Sequence, residues 1–290
     1  MKQTVIMGVL IGFGLLTENV EAQVVINIVN PTETLKTEAI DDLLFTVQYR
    51  MTFVVDTLHP EKSQQEMMIL KAGAKSAVFY SYAKFMADSV IAADQANGVP
   101  PDVMIEHIKS YTSLVNYKIY KNYPAGKVTT LEQLAMSRFR CEEENERPDW
   151  ELLPDTMTIL SYPCRKAVCR FKGRDYEAWF TTAIPRSEGP WKLHGLPGLI
   201  MNAADSGREY VFECTGLVES RGKEAIQYGD SGYEPISRKN MEKLFERQAA
   251  DPIGFIKASA PNVKVQVVNE TGESIQPKNT PYNPIERAEK

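Results

Sequence analysis

Histidine and cysteine are scarce in this chain, at three and four of 290 residues. Metal sites draw such ligands into close sets. Here only Cys164 and Cys169 are near neighbours, and His194 is the one histidine in the same half of the chain. The sequence therefore predicts no metal site and no cofactor. A basic surplus is missing too: 33 Lys and Arg stand against 38 Asp and Glu, for a formal net charge of -5. That speaks against a general nucleic-acid binder, whose affinity comes from neutralising phosphates. The sequence holds no phosphate-cradling glycine loop, no HExxH or GxSxG spacing and no EF-hand loop. What is present, 43% hydrophobic and 24% charged residues, is the composition of a folded globular chain.

Long apolar runs are confined to the start. Lys2, the apolar stretch Val5 to Leu16 and the ending Val20-Glu21-Ala22 have the order of a secretory leader cleaved near Ala22. No later segment approaches the ~20 apolar residues of a membrane-crossing helix. The expected product starts at Gln23 and is periplasmic or secreted, with no transmembrane segment. Export also changes the reading of Cys141, Cys164, Cys169 and Cys214, which become candidates for disulfides. Strict alternation puts Cys164 and Cys169 on opposite faces of a strand, so a bond between them needs a bulge. Cys164–Cys214 and Cys141–Cys164 are freer, and the sequence does not choose.

The segments Leu43 to Asp56, Glu66 to Lys75, Leu114 to Lys121, Phe139 to Glu144, Thr156 to Leu160, Pro163 to Phe171, Asp175 to Thr182 and Tyr210 to Val218 read as strands. Gly173 makes a turn between two of them. Lys84 to Gln95 is compatible with a helix. Thr129-Thr130-Leu131-Glu132 fits a capping box and predicts a short helix to Met136. Ser237 caps a helix to about Ala249, with Met241, Leu244 and Phe245 near one face. Strands never alternate regularly with long helices, so the expected fold is mainly β (α+β). It is a curved antiparallel sheet or half-barrel with a few packed helices, in one domain over residues 23–271. A tail of residues 272–290 follows, and Tyr282 to Glu286 is a candidate strand or hook that docks on the body.

The densest block is Ser161 to Ile200. On one strand Tyr176, Ala178 and Phe180 share a face, and Glu177, Trp179 and Thr181 share the other, so an aromatic side chain packs on each side. Gly195-Leu196-Pro197-Gly198-Leu199-Ile200 is a tight turn inside an apolar run. It reads either as a structural corner or as a lip that holds an apolar or peptide-like partner. Lys192 and His194 precede it. Tyr176, Trp179, Lys192, His194, Leu196 and Leu199 are thus the candidate ligand or partner contacts, and Gly195, Pro197 and Gly198 shape the turn. No catalytic residue is assigned. A trio of His194, Ser161 and Asp175 is reached by elimination rather than by spacing.

The same block resembles the GLPGLI family of exported proteins from Bacteroidetes. The hexapeptide stands complete at Gly195 to Ile200. The resemblance extends over Tyr162, Cys164, Lys166, Ala167, Phe171, Gly173, Arg174, Tyr176, Ala178 to Thr181, Ile184-Pro185, Gly189-Pro190 and Tyr282 to Glu286. Pro163, Trp191 and the extra Cys169 depart from the pattern. The family's function is uncharacterised, so the resemblance carries no active site. It implies an envelope role, with an outer-membrane import receptor or another envelope protein as partner. The pattern also looks like the periplasmic lipoprotein-carrier-like half-barrels that hold apolar cargo. The expected function is a non-enzymatic envelope protein that binds an apolar or peptide ligand, or a protein partner, through a half-open sheet. The alternatives are a structural subunit of an outer-membrane-associated assembly, which predicts an exposed apolar edge, and a hydrolase without a recognisable motif.

Overall fold

A computed structural model describes residues 23–24, 36–259, 267–268 and 282–287. The expected leader, its cleavage site and most of the tail lie outside the described residues. In chain order the elements are β1 (Gln23–Val24), β2 (Glu38–Asp42), β3 (Phe45–Phe53), β4 (Gln64–Ala72), β5 (Ala77–Ser81), α1 (Tyr82–Ala96) and α2 (Pro101–Ile108). Then follow β6 (Tyr117–Lys121), β7 (Lys127–Leu134), β8 (Ser137–Glu144), β9 (Glu151–Ile159), β10 (Tyr162–Phe171), β11 (Arg174–Thr181), β12 (Leu199–Asp205) and β13 (Tyr210–Glu219). The last are β14 (Ala225–Tyr228), β15 (Glu234–Pro235), α3 (Arg238–Ala250), α4 (Pro252–Ser259) and β16 (Val267–Val268).

Twelve strands form one sheet in the order β15-β8-β7-β6-β5-β4-β3-β13-β12-β11-β10-β9. Every pair in it is antiparallel except the two-residue β15–β8 contact. The fold is thus α+β and dominated by a large antiparallel sheet, as the strand-rich pattern implies. Its curvature follows from one ion pair. In the sheet order β8 and β10 are nine strand intervals apart, which would be roughly 43 Å in a flat sheet. Yet Lys172, at the β10–β11 turn, places its Nζ 2.7 Å from Glu146 and 3.8 Å from Glu143 of β8. The sheet must curl on itself to bring them together.

The inside of the curve carries the main core. Phe45, Val47, Tyr49 and Met51 of β3 meet Met68, Leu70 and Phe79 on one side and Tyr176, Ala178, Phe180 and Phe212 on the other. Outside, Ile69, Val78, Tyr80, Tyr120 and Leu131 are covered by Ile226 and Tyr228 of the small β2–β14 sheet and by Phe85 of α1. Met241, Leu244 and Phe245 of α3 and Phe255 of α4 close over Leu134, Phe139 and Cys141. Ser237 accepts a hydrogen bond from the Asn240 amide as the cap of α3, where the sequence puts it.

Two local expectations are overturned. Residues 127–134 form β7, not a helix starting at Thr129. Thr129 Oγ1 donates to the Tyr123 carbonyl instead of capping, and Glu132 pairs in register with Tyr117 and Phe139 on the flanking strands. Two sheet neighbours outweigh a four-residue cap signal. Cys164 and Cys169 do not lie on opposite faces. A register shift between Arg165 and Ala167 changes the phase of β10, and both thiols join the same core.

Candidate functional site

Residues 182–198, between β11 and β12, do not make a short hairpin; they turn into the hollow of the sheet. Trp191, Leu193 and Leu196 are almost fully buried there. The Trp191 ring lies 5.9 Å from Phe171 and 6.0 Å from Tyr176, and its backbone is held at φ 51°, a left-handed value unusual for so large a residue. Tyr49 Oη donates to the Ile200 carbonyl at 2.7 Å, tying this segment to the central strand β3. The glycines of the hexapeptide have separate jobs. Gly195 sits at φ 94° against the Arg147 side chain, while a Cβ on Gly198 would lie 2.0 Å from the Thr181 carbonyl oxygen. The hexapeptide is a clamped corner: Ser187 Oγ donates to Leu196 O and the Gly195 amide to Ser187 O.

The expected contact residues are divided by this arrangement. Tyr176, Leu196 and Leu199 lie in the core, while Pro197 is exposed. Trp179 is half-buried on the opposite face of β11, where Lys166 Nζ stands 5.7 Å over its ring and Nε1 donates to Glu177. Tyr176, Trp179 and Leu196 therefore do not line one groove. His194 shares a hydrogen bond at 3.0 Å between Nδ1 and the Lys192 carbonyl, and its own carbonyl accepts from Trp150 Nε1. Burial holds its imidazole below the usual histidine range, with the Lys121 and Arg147 charges acting the same way. Among the described residues it bonds to no nucleophile or carboxylate. The cysteines are free and buried; Cys141 lies beneath α3, apart from the other three in the main core. None of the disulfides that export would permit is formed among these four thiols in this structure.

Lys192 is the best-connected of the expected residues. Its Nζ, 4% exposed, lies 2.5 Å from Glu143 and 2.6 Å from Glu286. Glu286 also meets Arg238 of α3 at 3.3 Å, and the three cations Lys192, Arg238 and Lys172 overcome burial to hold the Glu143 carboxyl below its ordinary range. Residues 282–287 are thus a docked hook. Arg174 is its main receptor: Nε donates to Ile285 O, Nη2 to Asn283 Oδ1 and Pro284 O, and Nη1 to Asp205 and Glu209. Asn283 Nδ2 donates to Val54 O, Tyr210 Oη donates to Asn283 O, and the Arg287 amide donates to Lys172 O. A cavity of about 330 Å3 opens beside this hub. Its charges are already matched in the pairs Arg170–Asp175, Arg174–Asp205 and Arg287–Glu209.

Two further features escape sequence reasoning. Edge strand β9 is exposed along most of its length. Leu152 pairs with Ala167 and Met157 with Cys164, so both point to the core-facing side, yet they are 44% and 42% exposed. Leu160, just beyond, is 46% exposed. The apolar inner surface therefore continues past the core and stops uncovered. At the far end of β4 to β7, buried Glu66 accepts from Ser81 Oγ, Ser113 Oγ and the Leu114 amide. Glu132 is buried nearby and desolvation pushes its pKa to about 8. Carboxylates in strands give no sequence sign of being turned inward. Among the described residues no group of three His, Cys, Asp or Glu is placed to hold a metal ion, and no helix is long and apolar enough to cross a membrane.

No curated protein matches the chain. Two solved structures, both of PNGF-II, in space groups P21 and C2, share 13% and 14% identity with TM-scores of 0.46 and 0.43. They cover 69% and 68% of this chain, which spans about a third of theirs, 32% and 31%. Residues 170–202 match a family described as a protein of unknown function, Porph_ging, and that stretch contains the β10–β11 turn, β11, the inserted segment and the hexapeptide.

Proposed function

We propose that the chain is a non-enzymatic cell-envelope protein of GLPGLI type that works by joining a protein partner at the open edge of its sheet. The carrying observation is the seam at Leu152 and Met157, apolar side chains on the core-facing side of strand β9 that are left uncovered, with Leu160 exposed just beyond them. Exposed edge strands and contiguous apolar surface are where chains associate. Pro154 and Asp155 in the middle of β9 discourage indiscriminate strand addition. This favours a partner that covers the apolar side chains over one that simply extends the ladder. The leader-like start supports an exported chain, and the family match over 170–202 spans the hexapeptide on which the GLPGLI resemblance rests. The apolar-cargo alternative is weaker. Trp191, Leu193 and Leu196 occupy the inside of the curve, and of its three marker side chains only Trp179 stays near the surface.

A photo-crosslinking residue at position 152, in cells making the full-length protein, tests this reading. One discrete crosslinked species is expected, lost when Met157→Lys is added and absent with the crosslinker at Val218, which is 67% exposed elsewhere. Equal, diffuse labelling from both positions would sink the proposal.

A further inference from the structure

The hook is recognised more like a ligand than like a frayed end tacked to a surface. Each of four successive residues is read. Asn283 is read by side chain and carbonyl, Pro284 and Ile285 by their carbonyls, and Glu286 by its carboxylate. Asn283 and Glu286 are 9% and 7% exposed, and Ile285 packs on the main core. The readers, Arg174, Tyr210, Lys192 and Arg238, come from four separate parts of the chain and set three cations around the apolar seat of Ile285. Extended peptides bound through backbone carbonyls plus a spaced Asn and Glu are read in this manner.

We propose that this receptor is a peptide-binding site for the Asn-Pro-Ile-Glu sequence, and that it takes the segment from a second copy of the chain as well as from its own. Residues 269–281, 13 in all, separate β16, which pairs with β1, from the hook, a span of at most about 45 Å. A domain of this size has a radius of gyration of about 18 Å, so this span is long enough to reach a neighbouring receptor. Where copies are concentrated, the choice between own and neighbouring hook becomes one of effective concentration rather than of contact. Exchange of hooks links copies head to tail, and the open seam at β9 is not involved.

The test begins with the full-length chain carrying a protease site within residues 260–281, so that folding occurs with the hook in place. After cleavage, a fluorescent peptide of residues 280–290 is added. It should exchange with the retained hook, saturate, and bind at least about tenfold more weakly as its Glu286→Gln form, which leaves the buried cations short of a partner. Failure to exchange while the protein stays folded, or unfolding as the hook leaves, would show that the segment is an integral part of the body and overturn the proposal. The second copy is tested with intact chains. A tagged Asn283→Asp/Glu286→Gln protein should retain untagged wild type, and free peptide should release it. No retention at the highest soluble concentration would confine the hook to its own chain.

Discussion

Arg174 commits its three guanidinium nitrogens to five acceptors, and lies with its charge 4.8 Å from the centre of the Tyr210 ring. Lysine would keep the charge and lose the fork. Arg174→Met, which removes the charge as well as the fork, should cost about 3–5 kcal/mol, the usual effect of breaking a buried pair, seen as a lower urea midpoint and faster amide exchange at Arg287, and Arg174→Lys should cost less. Glu132 makes the opposite prediction. Burial raises its pKa from 4.5 to about 8, so the folded chain holds a proton that the unfolded chain has released. Between those two values stability falls as pH rises, by at most about 1.4 kcal/mol per pH unit, and above the folded value the loss is complete. Glu132→Gln should remove that slope and make the protein more stable than wild type at pH 8, in urea unfolding compared at pH 5 and 8. An unchanged slope would mean that another group carries it.

Among the elements, the inserted segment 182–198 depends on one van der Waals limit. Gly198→Ala places a methyl 2.0 Å from the Thr181 carbonyl oxygen, so backbone must shift, and a loss of several kcal/mol is expected on the scale of overpacked cores. Pro197→Ala, one residue away and exposed, should lie within about 0.5 kcal/mol of wild type. Thermal melts of the two variants decide it. The β10–β11 hairpin and the Ser237-capped α3 were legible in the sequence because their signals are local: Lys172-Gly173 both adopt positive φ, and Ser237 caps its own helix. β7 was not, since the neighbours that make it a strand are 15 residues before Glu132 at Tyr117 and 7 after it at Phe139. The inner face of β10 was misread for a similar reason. The bulge between Arg165 and Ala167 is set by its register with β9, and no residue within β10 announces it. The candidate contacts shared this fate: Tyr176 and Trp179 were correctly assigned to opposite faces, but which face was core depended on the whole sheet.

At the scale of the molecule, three separate devices complete the curved sheet: the inserted segment inside it, the small sheet and α1 outside it, and the hook across its rim. The inner surface nevertheless runs out at β9. Leu152→Lys with Met157→Lys should leave the melting temperature nearly unchanged, because both side chains are more than two-fifths exposed. The same change should abolish the partner crosslink when the photo-crosslinking residue is moved to position 160. A large fall in melting temperature would instead make the seam part of the core.

The hook also sets an order of events. The bond from Asn283 to the Val54 carbonyl joins residues 229 positions apart. Asn283 follows every strand of the large sheet in chain order, so it is synthesised after all of them. Contacts so distant form late and slowly, after the intervening chain has found its place. A ribosome can therefore release nearly the whole sheet before the rim is secured, and the nascent protein must wait with Arg174 and Lys192 short of their final partners. The sequence Asn-Pro-Ile-Glu is in effect a closing signal, read by the fold only after the whole sheet has been made.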